Sequence, residues 1–406
     1  MSTFAVEFLG CKVSLADAQS VRERLAGDGH SEVEPGLAQV RVVNTCCVTA
    51  EAVAKSRKAV RRAAASAERV VVTGCAANLH GAGLEQVAAN VTVLPARAEI
   101  VPGAVAGWVG RLGCAGASAP PAFARTRAYV KVQDGCSFRC SYCVIPQVRG
   151  ESRSRASAAV LAEVGRRASQ GHREVVLTGI NLGCFRDRAA GMRLADLLVA
   201  VADVDGIERV RLSSIEVNHL TDALLDALSH PGVAAHLHVP MQSGDDGVLG
   251  AMRRRYTAAS FLARMRRARG RIAGVNLTTD VIVGHPAETD AAFAATMAAA
   301  DAAGFTKVHV FPYSPRPGTA DGSRAGVAAA VKRRRGAELR ALSDARGAAH
   351  RAAKRGRRER VLVETAAGRG HCDDLTAFVV AGAAPGAMVD VVGVGVAGDA
   401  VVGVRA

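Results

Sequence analysis

The chain has 406 residues, which predicts two or three domains, and 49% of them are hydrophobic, so a large core can be buried. It has no uninterrupted apolar run of about 18 residues, which argues against a membrane-spanning helix. The net charge is +15, and residues 331–360 hold twelve Lys and Arg against three acidic residues. This concentration favours a surface that faces a polyanion over a randomly scattered basic surface.

The N-terminal segment Met1–Leu9 has neither a basic region nor a long apolar core, so we predict no secretory signal and a cytoplasmic location. The cytoplasm keeps thiols reduced. The ten cysteines are therefore better explained by metal or cluster ligation than by disulfides.

In the first region, short apolar runs alternate with helical patterns, which predicts an α/β fold with a parallel sheet covered by helices. The predicted strands are Phe4–Leu9, Val40–Val43, Arg69–Thr73 and Val91–Leu94, and the predicted helices are Leu15–Leu25, Ala50–Ala65 and Leu84–Ala89. A segment rich in Gly and Pro, from Cys114 to Arg127, then predicts a linker.

The second region repeats the alternation in six βα units, which predicts an open or partial (β/α)6 barrel. Its predicted strands are Tyr129–Gln133, Glu174–Thr178, Val210–Ser213, His236–Pro240, Leu277–Val283 and Lys307–Tyr313. The basic stretch 331–360 reads as helical. The tail predicts a small β-barrel of short strands between Gly-rich turns. Those strands are Val361–Glu364, Thr376–Val380, Ala387–Val392 and Val401–Val404.

The strongest chemical signal is the spacing Cys136-x-x-x-Cys140-x-x-Cys143, directly after a predicted strand. Three thiolates can hold three irons of a cubane cluster and leave the fourth iron open for a small-molecule ligand. The alternatives are a structural zinc site, which takes four ligands, and cysteines that are simply buried in the core.

A second signal is spread along the first region, where Cys11, Cys46 and Cys75 each follow directly on a predicted strand. Parallel strand ends lie on one edge of a sheet, so we expect the three thiols to converge and to hold a second metal cluster. Buried cysteines acting as small hydrophobes are the alternative. Cys47 is interpreted as a spectator. Three others, Cys114, Cys184 and Cys372, have no partners at useful spacing and are interpreted as incidental.

Glycine-containing segments end three predicted strands of the second region, where glycine lets the backbone approach a ligand. They are Thr178-Gly179, Gln242-Ser243-Gly244 and Val283-Gly284-His285-Pro286. Each is weak alone because glycine after a strand is ordinary turn chemistry, but all are expected on the same rim as Cys136.

These motifs resemble those of the radical S-adenosylmethionine (SAM) methylthiotransferases. The matching segments include LGCKVSLADA, VVNTCCVTAEAVAKSR, VVVTGCAAN, KVQDGCSFRCSYCVIPQVRGESRSR, HLHVPMQSGDDGVLGAMRRRYT, TTDVIVGHPAETD and VFPYSPRPGTA. The resemblance implies three domains: a Rossmann-like N-terminal methylthiotransferase domain (1–113), a radical SAM domain (122–352) and a looser match to the TRAM β-barrel (354–406). The LGCK, NTC-x-VT and KSR motifs are most similar to the branch that acts on N6-threonylcarbamoyladenosine in tRNA.

The resemblance implies two [4Fe–4S] clusters, one on Cys136, Cys140 and Cys143 that cleaves SAM, and an auxiliary one that carries or donates sulfur. The auxiliary ligands would be Cys11, Cys46 and Cys75, and the SAM-binding residues would be Tyr142, Thr178, Gly179, Gln242, Ser243 and Gly284. One SAM methylates the sulfur, and a second gives the radical that takes hydrogen from C2 of the adenine. The implied substrate is position 37 of the tRNA anticodon stem-loop, and the implied electron donor is a reductant such as flavodoxin or ferredoxin.

The chain departs from the family pattern at Ser14, where Asn is usual, at Cys47, where Thr is common, and at His285 and Ala287, where Phe and Gly are usual. The tail after Arg360 is net negative and has a single aromatic residue. We therefore expect RNA contact on residues 331–360 and on three arginines rather than on the tail. Those arginines are Arg149, Arg153 and Arg155.

The sequence leaves other functions open. The enzyme could methylthiolate isopentenyladenosine-37 of tRNA or a ribosomal protein residue, or the chain could be a non-catalytic iron–sulfur RNA-binding protein. The sulfur source stays open, as does the choice between monomer and homodimer.

Overall fold

The structure is a computed structural model that describes residues 2–95, 101–110, 125–324 and 326–406. Its contacts divide the chain into two compact units. The first comprises Met1–Phe123, Asp134–Arg153 and Ser314–Ser323, and the second comprises Ala124–Gln133, Ser154–Tyr313 and Arg324–Ala406. Most of the predicted linker, including Cys114, lies outside the described residues. Within them, no helix has both the length and the apolar character needed to cross a bilayer.

The first unit contains a five-stranded parallel sheet with the order β2-β1-β3-β4-β5, as predicted for the N-terminal region. The strands are β1 (Thr3–Phe8), β2 (Ser31–Glu32), β3 (Val40–Thr45), β4 (Arg69–Gly74) and β5 (Val91–Val93). The helices are α1 (Lys12–Gly27), α2 (Ala50–Ala64) and α3 (Val101–Gly110). Val71 packs into one apolar core and Val70 and Val72 into another, because successive side chains point to opposite faces of a sheet. All six residues of β3 are buried, as expected for a strand covered on both faces.

The predicted helix at Leu84–Ala89 is wrong, since residues 81–90 form turns and irregular backbone. Gly81 and Gly83 have positive φ values of 73° and 62°, a conformation that cannot start a right-handed helix. The side-chain amide of Asn90 then donates to two carbonyl groups at the end of α2 and just beyond it. Helix α3, in contrast, is an element that the sequence pattern does not predict.

The second unit contains the predicted partial barrel, and its six main strands follow the predicted order. The strands are β6 (Arg127–Asp134), β7 (Arg153–Ser154), β8 (Glu174–Gly179), β9 (Arg186–Asp187), β10 (Met192–Arg193), β11 (Arg209–Leu212), β12 (His236–His238), β13 (Asn276–Val283) and β14 (Lys307–Pro312). One sheet has the order β11-β8-β6-β7 and another β12-β13-β14. Parallel bridges between Val210 and Val233 and between Ser214 and His238 connect them.

Helices pack against the outer face of these strands. They are α5 (Ser157–Ser169), α6 (Leu194–Ala202), α7 (Asp222–Ala227), α8 (Asp246–Ala251), α9 (Ala258–Arg271), α10 (Asp290–Ala303) and α11 (Ala329–Ala352), and the short α4 (Ile145–Arg149) belongs to the first unit. Alternate residues of β13, including Leu277 and Val281, join Phe261 of α9 and Phe293 of α10 in the main core. The residues between them therefore face the inside of the partial barrel.

The tail forms a closed five-stranded barrel with the order β15-β16-β17-β19-β18, which confirms the predicted β-barrel. The strands are β15 (Arg358–Val363), β16 (Arg369–His371), β17 (Ala377–Val380), β18 (Met388–Ala397) and β19 (Ala400–Arg405). Phe378 is fully buried in its core. The tail's single Phe, Tyr or Trp ring is thus a core residue and offers no stacking surface to a base.

A buried ionic cluster joins the tail barrel to the partial barrel within the second unit. Glu174 accepts from the Nε atoms of Arg209 and Arg211 at 2.6 and 3.1 Å. The same arginines donate to the tail: Arg209 Nη2 to the carbonyl of His371 at 3.0 Å, and Arg211 Nη1 to the carbonyl of Asp373 at 2.9 Å. The guanidinium groups therefore act as a polar joint between the two barrels.

Candidate functional site

The three dispersed cysteines lie at the same edge of the first unit's sheet. Cys11, Cys46 and Cys75 follow the neighbouring strands β1, β3 and β4. The Cys46 thiol interacts electrostatically with those of both Cys75 and Cys11. The backbone N–H of Cys75 donates to the carbonyl of Thr45 at 3.0 Å, which places Cys75 beside the end of β3.

Two glycines make this convergence possible. Gly10 has a φ of 116°, and a Cβ atom there would lie 3.1 Å from Cys46 Cβ and 3.2 Å from Cys46 Sγ. Gly74 has a φ of 87°, and a Cβ atom there would collide with the side chain of Asn44 and the backbone of Thr45. Any other residue at either position would be strained and would push the cysteine-bearing turns apart.

A buried arginine lies against the cysteine group. The Nε atom of Arg149 donates to Cys75 Sγ at 3.1 Å, while its Nη2 and Nη1 atoms bond Asp17 at 2.9 Å and Asp134 at 3.0 Å. Arg149 is 6% exposed, so the expectation that it contacts RNA is wrong. Its guanidinium group is buried and bonded to two carboxylates and a sulfur.

The thiols of this group have unequal acidities. Burial raises the pKa of Cys46 to about 11, the neighbouring thiols Cys75 and Cys11 add to that effect, and a backbone hydrogen bond at Val48 and the charge of Arg149 oppose it. A hydrogen bond from Cys47, followed by the charge of Arg149, lowers the pKa of Cys75 against the opposing effect of burial. Cys75 is thus the member whose thiolate form the protein itself favours, and thiolate is the form that binds metal.

Cys47 is fully buried and lies within hydrogen-bond reach of Cys75, and this contact raises the pKa of Cys47. The Nη1 atom of Arg316 donates to the carbonyl of Cys47 at 3.3 Å. A fourth thiol therefore borders the group. The interpretation of Cys47 as a spectator stays a prediction, and the structure shows which cysteine it would influence.

Cys136, Cys140 and Cys143 lie in the loop that follows β6, and all three are partly exposed. The loop is closed by a hydrogen bond from the Cys136 N–H to the carbonyl of Gly150 at 3.0 Å and by a turn in which Cys143 N–H donates to the carbonyl of Cys140 at 3.2 Å. Tyr142 is also partly exposed. The segment Asp134–Arg153 belongs to the first unit, so both cysteine groups are part of the same compact body.

The other predicted SAM-binding residues lie in the second unit. Thr178 is 1% exposed, and its Oγ1 atom has no hydrogen-bond partner among the described residues. Ser213 Oγ, just after the end of the neighbouring strand β11, is likewise buried without a hydrogen-bond partner among the described residues. A buried hydroxyl without a partner is costly, so these two groups indicate a site for a polar ligand.

The remaining residues predicted to bind SAM are characterised mainly by their backbone conformation and hydrogen bonds. Gln242 has a φ of 65°, and its N–H donates to the carbonyl of Asp280 at 2.8 Å. Gly284 has a φ of 77°, and its N–H donates to Glu288 at 2.6 Å. Gly179 lies close against Gln133. Ser243 is fully buried, and its hydroxyl lies 3.2 Å from Thr296 Oγ1 and accepts from the N–H of Asp245, so it holds the turn before α8 together.

Some of the basic side chains in the stretch 331–360 form ion pairs within the protein. Arg335 is buried against Glu288, and Lys354 is buried with its Nζ atom 2.6 Å from Glu359. Arg155, expected at an RNA surface, pairs with Glu163 at 2.7 Å. The exposed cations of the stretch that remain are Arg333, Arg334, Arg340, Arg346, Arg355, Arg357 and Arg358, of which Arg334, Arg346 and Arg358 also have acidic partners.

Comparison with known proteins tests the family. A model of the radical SAM superfamily matches residues 130–300, and a model described as Uncharacterized protein family UPF0004 matches residues 3–95. The threonylcarbamoyladenosine tRNA methylthiotransferase MtaB of Thermotoga maritima is 33% identical over 350 residues, covering 82% of this chain and 80% of that protein. The chain belongs to the radical SAM methylthiotransferase family.

Relatives with two different stated substrates match this chain equally well. The MtaB protein of Bacillus subtilis is 35% identical, covering 85% of this methylthiotransferase and 81% of the relative. The tRNA-2-methylthio-N(6)-dimethylallyladenosine synthase of Sorangium cellulosum is also 35% identical, covering 90% of this chain and 82% of the relative. Identity alone therefore does not separate the two adenosine modifications.

The radical SAM methyltransferase TsrM of Kitasatospora setae, solved with cobalamin and a [4Fe–4S] cluster, has a similar fold. Its TM-score is 0.58 at 17% identity, covering 79% of this methylthiotransferase and 77% of TsrM. Membership of the superfamily implies SAM and a [4Fe–4S] cluster as cofactors. The loop residues fit such a cluster, because three partly exposed thiols occupy one loop.

Proposed function

We propose that this methylthiotransferase modifies tRNA by adding a methylthio group to C2 of N6-threonylcarbamoyladenosine at position 37. The observation that carries the proposal is the presence of two cysteine groups in one compact unit, with Cys11, Cys46 and Cys75 converging at a sheet edge. A single cluster is enough to generate a radical, and a second thiolate group gives the enzyme a place to hold the sulfur that is transferred.

We assign the radical cluster to Cys136, Cys140 and Cys143, and an auxiliary [4Fe–4S] cluster to Cys11, Cys46 and Cys75. When bound to the first cluster, SAM supplies a radical able to take hydrogen from an unactivated C–H bond, which no side-chain base can do. The chain's own part is to hold the ligands. Arg149 balances the negative charge that thiolates bring into a buried site, and it is itself fixed by Asp17 and Asp134.

The cofactor cradle is assigned to Tyr142, Thr178, Gly179, Gln242, Ser243 and Gly284. Thr178 is expected to donate or accept a hydrogen bond to SAM through its unpartnered hydroxyl. Gly179, Gln242 and Gly284 supply backbone shape, and Ser243 positions the turn that follows β12.

Support for the tRNA substrate comes from the relatives, and the threonylcarbamoyl group is favoured by the LGCK and NTC-x-VT motifs. We propose that the anticodon stem-loop binds through exposed arginines such as Arg333, Arg340, Arg355 and Arg357. We place the enzyme in the cytoplasm, with electrons supplied by a flavodoxin or ferredoxin.

A pair of synthetic anticodon stem-loops tests the substrate assignment. One carries N6-threonylcarbamoyladenosine at position 37, and the other carries N6-isopentenyladenosine in the same sequence. The anaerobically reconstituted enzyme, SAM and dithionite should convert the first to its 2-methylthio form, detected by nucleoside mass spectrometry. Conversion of only the second would move the enzyme to the isopentenyladenosine branch.

Nucleosides from a deletion strain provide the test in the cell. Loss of 2-methylthio-N6-threonylcarbamoyladenosine, restored by the wild-type gene and not by Cys140→Ala, is the expected result. Unchanged tRNA nucleosides together with SAM cleavage by the pure protein would indicate another substrate, such as a ribosomal protein residue. No SAM cleavage at all would favour a non-catalytic iron–sulfur protein.

A further inference from the structure

Three potential metal ligands, none of them a member of either cysteine group, meet on the inner face of the partial barrel. They are His238 on β12, Asp280 on β13 and His309 on β14. One ligand atom from each lies within 4.8 Å of the others, and His238 Nε2 is 3.1 Å from Asp280 Oδ1. The rings of His238 and His309 have centroids 5.5 Å apart.

The strand register explains why these side chains meet. β12, β13 and β14 are adjacent parallel strands, and Asp280 is paired directly with His309. Leu237, Val281 and Val308 alternate with the three ligands and pack into the core beneath the helices. The ligands therefore face the opposite side, toward the barrel interior.

His238 is held in an orientation suitable for a ligand. It is 8% exposed, and its Nδ1 lies 2.9 Å from the hydroxyl of Thr278. Without a metal, Nε2–H can donate to Asp280; with a metal, Nδ1–H would donate to the Thr278 hydroxyl and leave the Nε2 lone pair for the ion. Metal-bound histidines commonly have such a hydrogen bond on the other ring nitrogen, because it fixes the ring and its tautomer.

We propose that His238, Asp280 and His309 bind a divalent transition-metal ion, with Zn²⁺ or Fe²⁺ as the chemical class. Two imidazoles and one carboxylate suit such ions, and ligand bonds of about 2.0–2.2 Å place neighbouring donor atoms roughly 3–3.6 Å apart. The separation of His238 Nε2 and Asp280 Oδ1 already meets this requirement. Rotation of the exposed His309 side chain brings the third donor in.

The three ligands differ in solvent exposure, which gives an ion a path from solvent to the site. Their arrangement also leaves coordination positions open. His238 is buried, Asp280 is partly buried and His309 is exposed. Three protein ligands on one side leave the interior side for water or for a group of the substrate. This site does not depend on the proposed tRNA substrate and can be tested without turnover.

The test uses the full-length protein with its thiol sites first filled by anaerobic iron–sulfur reconstitution. It is then equilibrated with Zn²⁺, desalted and measured for zinc and iron by mass spectrometry of the elements. We expect one equivalent of zinc per chain with iron unchanged. His309→Ala and Asp280→Asn should lower zinc affinity by about tenfold or more while iron and visible absorbance stay at the wild-type level.

His230→Ala is the matched control, because His230 pairs with Asp203 at 3.4 Å elsewhere in the second unit. It should retain the wild-type zinc content. X-ray absorption at the zinc edge should show nitrogen and oxygen neighbours near 2.0–2.1 Å and no sulfur at about 2.3 Å. The proposal is overturned by sulfur ligation, by zinc that displaces iron, by absence of retained zinc, or by equal retention in His309→Ala.

Discussion

Two buried regions of this molecule use arginine in different ways. At the joint between the barrels, Arg209 and Arg211 bond carboxylate and carbonyl oxygens, and Glu174 is almost completely buried between them. The second region is the sheet edge that holds Cys11, Cys46 and Cys75, called the thiol edge below. There Arg149 likewise bonds two carboxylates, but its Nε atom donates to the sulfur of Cys75. The joint has internal partners for the charges of Arg209 and Glu174. The thiol edge gathers several thiols around one arginine, so its stable form is expected to include a metal.

The difference separates structure from function. A complete set of oxygen partners makes the joint a structural element whose loss lowers stability. The proposed role of the thiol edge is metal binding, so changes to its converging thiols should lower metal content and turnover. Each of the following experiments asks whether one region behaves as its chemistry predicts.

The largest effect is expected from Cys140→Ala, which should abolish SAM-dependent release of 5′-deoxyadenosine. Removing one of three ligands leaves two thiolates for a cluster that needs three. Iron content should fall to the amount held at the thiol edge, and Cys75→Ala should leave the complementary amount. Iron analysis and chromatography of the nucleoside product provide the measurements.

Cys184→Ala is the control for this experiment, since Cys184 lies 3.5 Å from His219 Nε2 in the second unit and is not assigned to a cluster. It should keep the iron and activity of the wild type. Retained turnover in Cys140→Ala would contradict the assignment of the radical cluster.

At the joint, Glu174→Gln should cost about 3–5 kcal/mol of unfolding free energy, because it leaves the buried Arg211 without its carboxylate partner and Arg209 with Asp373 alone. Burial alone raises the pKa of Glu174, but the charges of Arg211, Arg209 and then Arg127 outweigh burial and lower the pKa to about 2. A carboxyl with a lowered folded pKa stabilises the protein above its unfolded pKa of about 4.3. Its contribution, on the order of 3 kcal/mol, is lost as pH falls from about 4.3 through about 2.

Urea unfolding at several pH values measures this effect, and the variant should lose part of the acid sensitivity of the wild type. The control is Asp203→Asn, since an exposed pair with His230 is worth about 1 kcal/mol or less. Equal stability of wild type and Glu174→Gln at neutral pH would show that the joint is not what holds the tail.

A smaller effect is expected from Arg149→Lys, which keeps the charge but cannot reproduce three separate hydrogen bonds. We expect a loss of about 1–3 kcal/mol in stability and a raised pKa of Cys75 in the metal-free protein. The rate of iodoacetamide labelling of Cys75 against pH, read by peptide mass spectrometry, measures the second quantity. Labelling should shift to higher pH, because the hydrogen bond that favours the thiolate is weakened.

Arg62→Lys is the matched surface control, because Arg62 is exposed and pairs with Glu7. It should leave both stability and labelling unchanged. If Arg149→Lys labels at the same pH as the wild type, then Arg149 holds Asp17 and Asp134 together without influencing the thiol.

The two regions also differ in how much the sequence reveals. The convergence of Cys11, Cys46 and Cys75 follows from local patterns, since each cysteine ends a strand and parallel strand ends share an edge. The partial barrel follows from strand–helix alternation, and the small tail barrel follows from short strands between Gly-rich turns. These features depend on neighbours in sequence, and simple patterns capture them.

Contacts between distant residues are not captured. Arg149 and Asp17 are 132 positions apart, and an arginine within a basic motif suggests a surface until its two carboxylates are located. Asp373 counts against RNA binding in the tail's charge balance, yet it lies 2.5 Å from Arg209 Nη1. The absent helix at Leu84–Ala89 has a similar cause, because Asn90 is held by hydrogen bonds to Ala64 at the end of α2 and to Ala67 just beyond it, contacts that the local pattern does not show.

The smallest effect is expected from Cys47→Ala, compared with Cys46→Ala at the neighbouring position. If Cys47 is a spectator, its removal should cost about 1 kcal/mol through a small cavity and leave the iron content unchanged. Cys46→Ala should instead remove the auxiliary iron. Loss of a hydrogen bond from Cys47 should also raise the pKa of Cys75, which the labelling assay detects.

If Cys47→Ala loses as much iron as Cys46→Ala, Cys47 is a fourth ligand, and the thiol edge is a closed site like the fully partnered joint. An unchanged iron content keeps it an open site, which sulfur transfer requires, because a cluster with four protein thiolates has no iron left for an added sulfur.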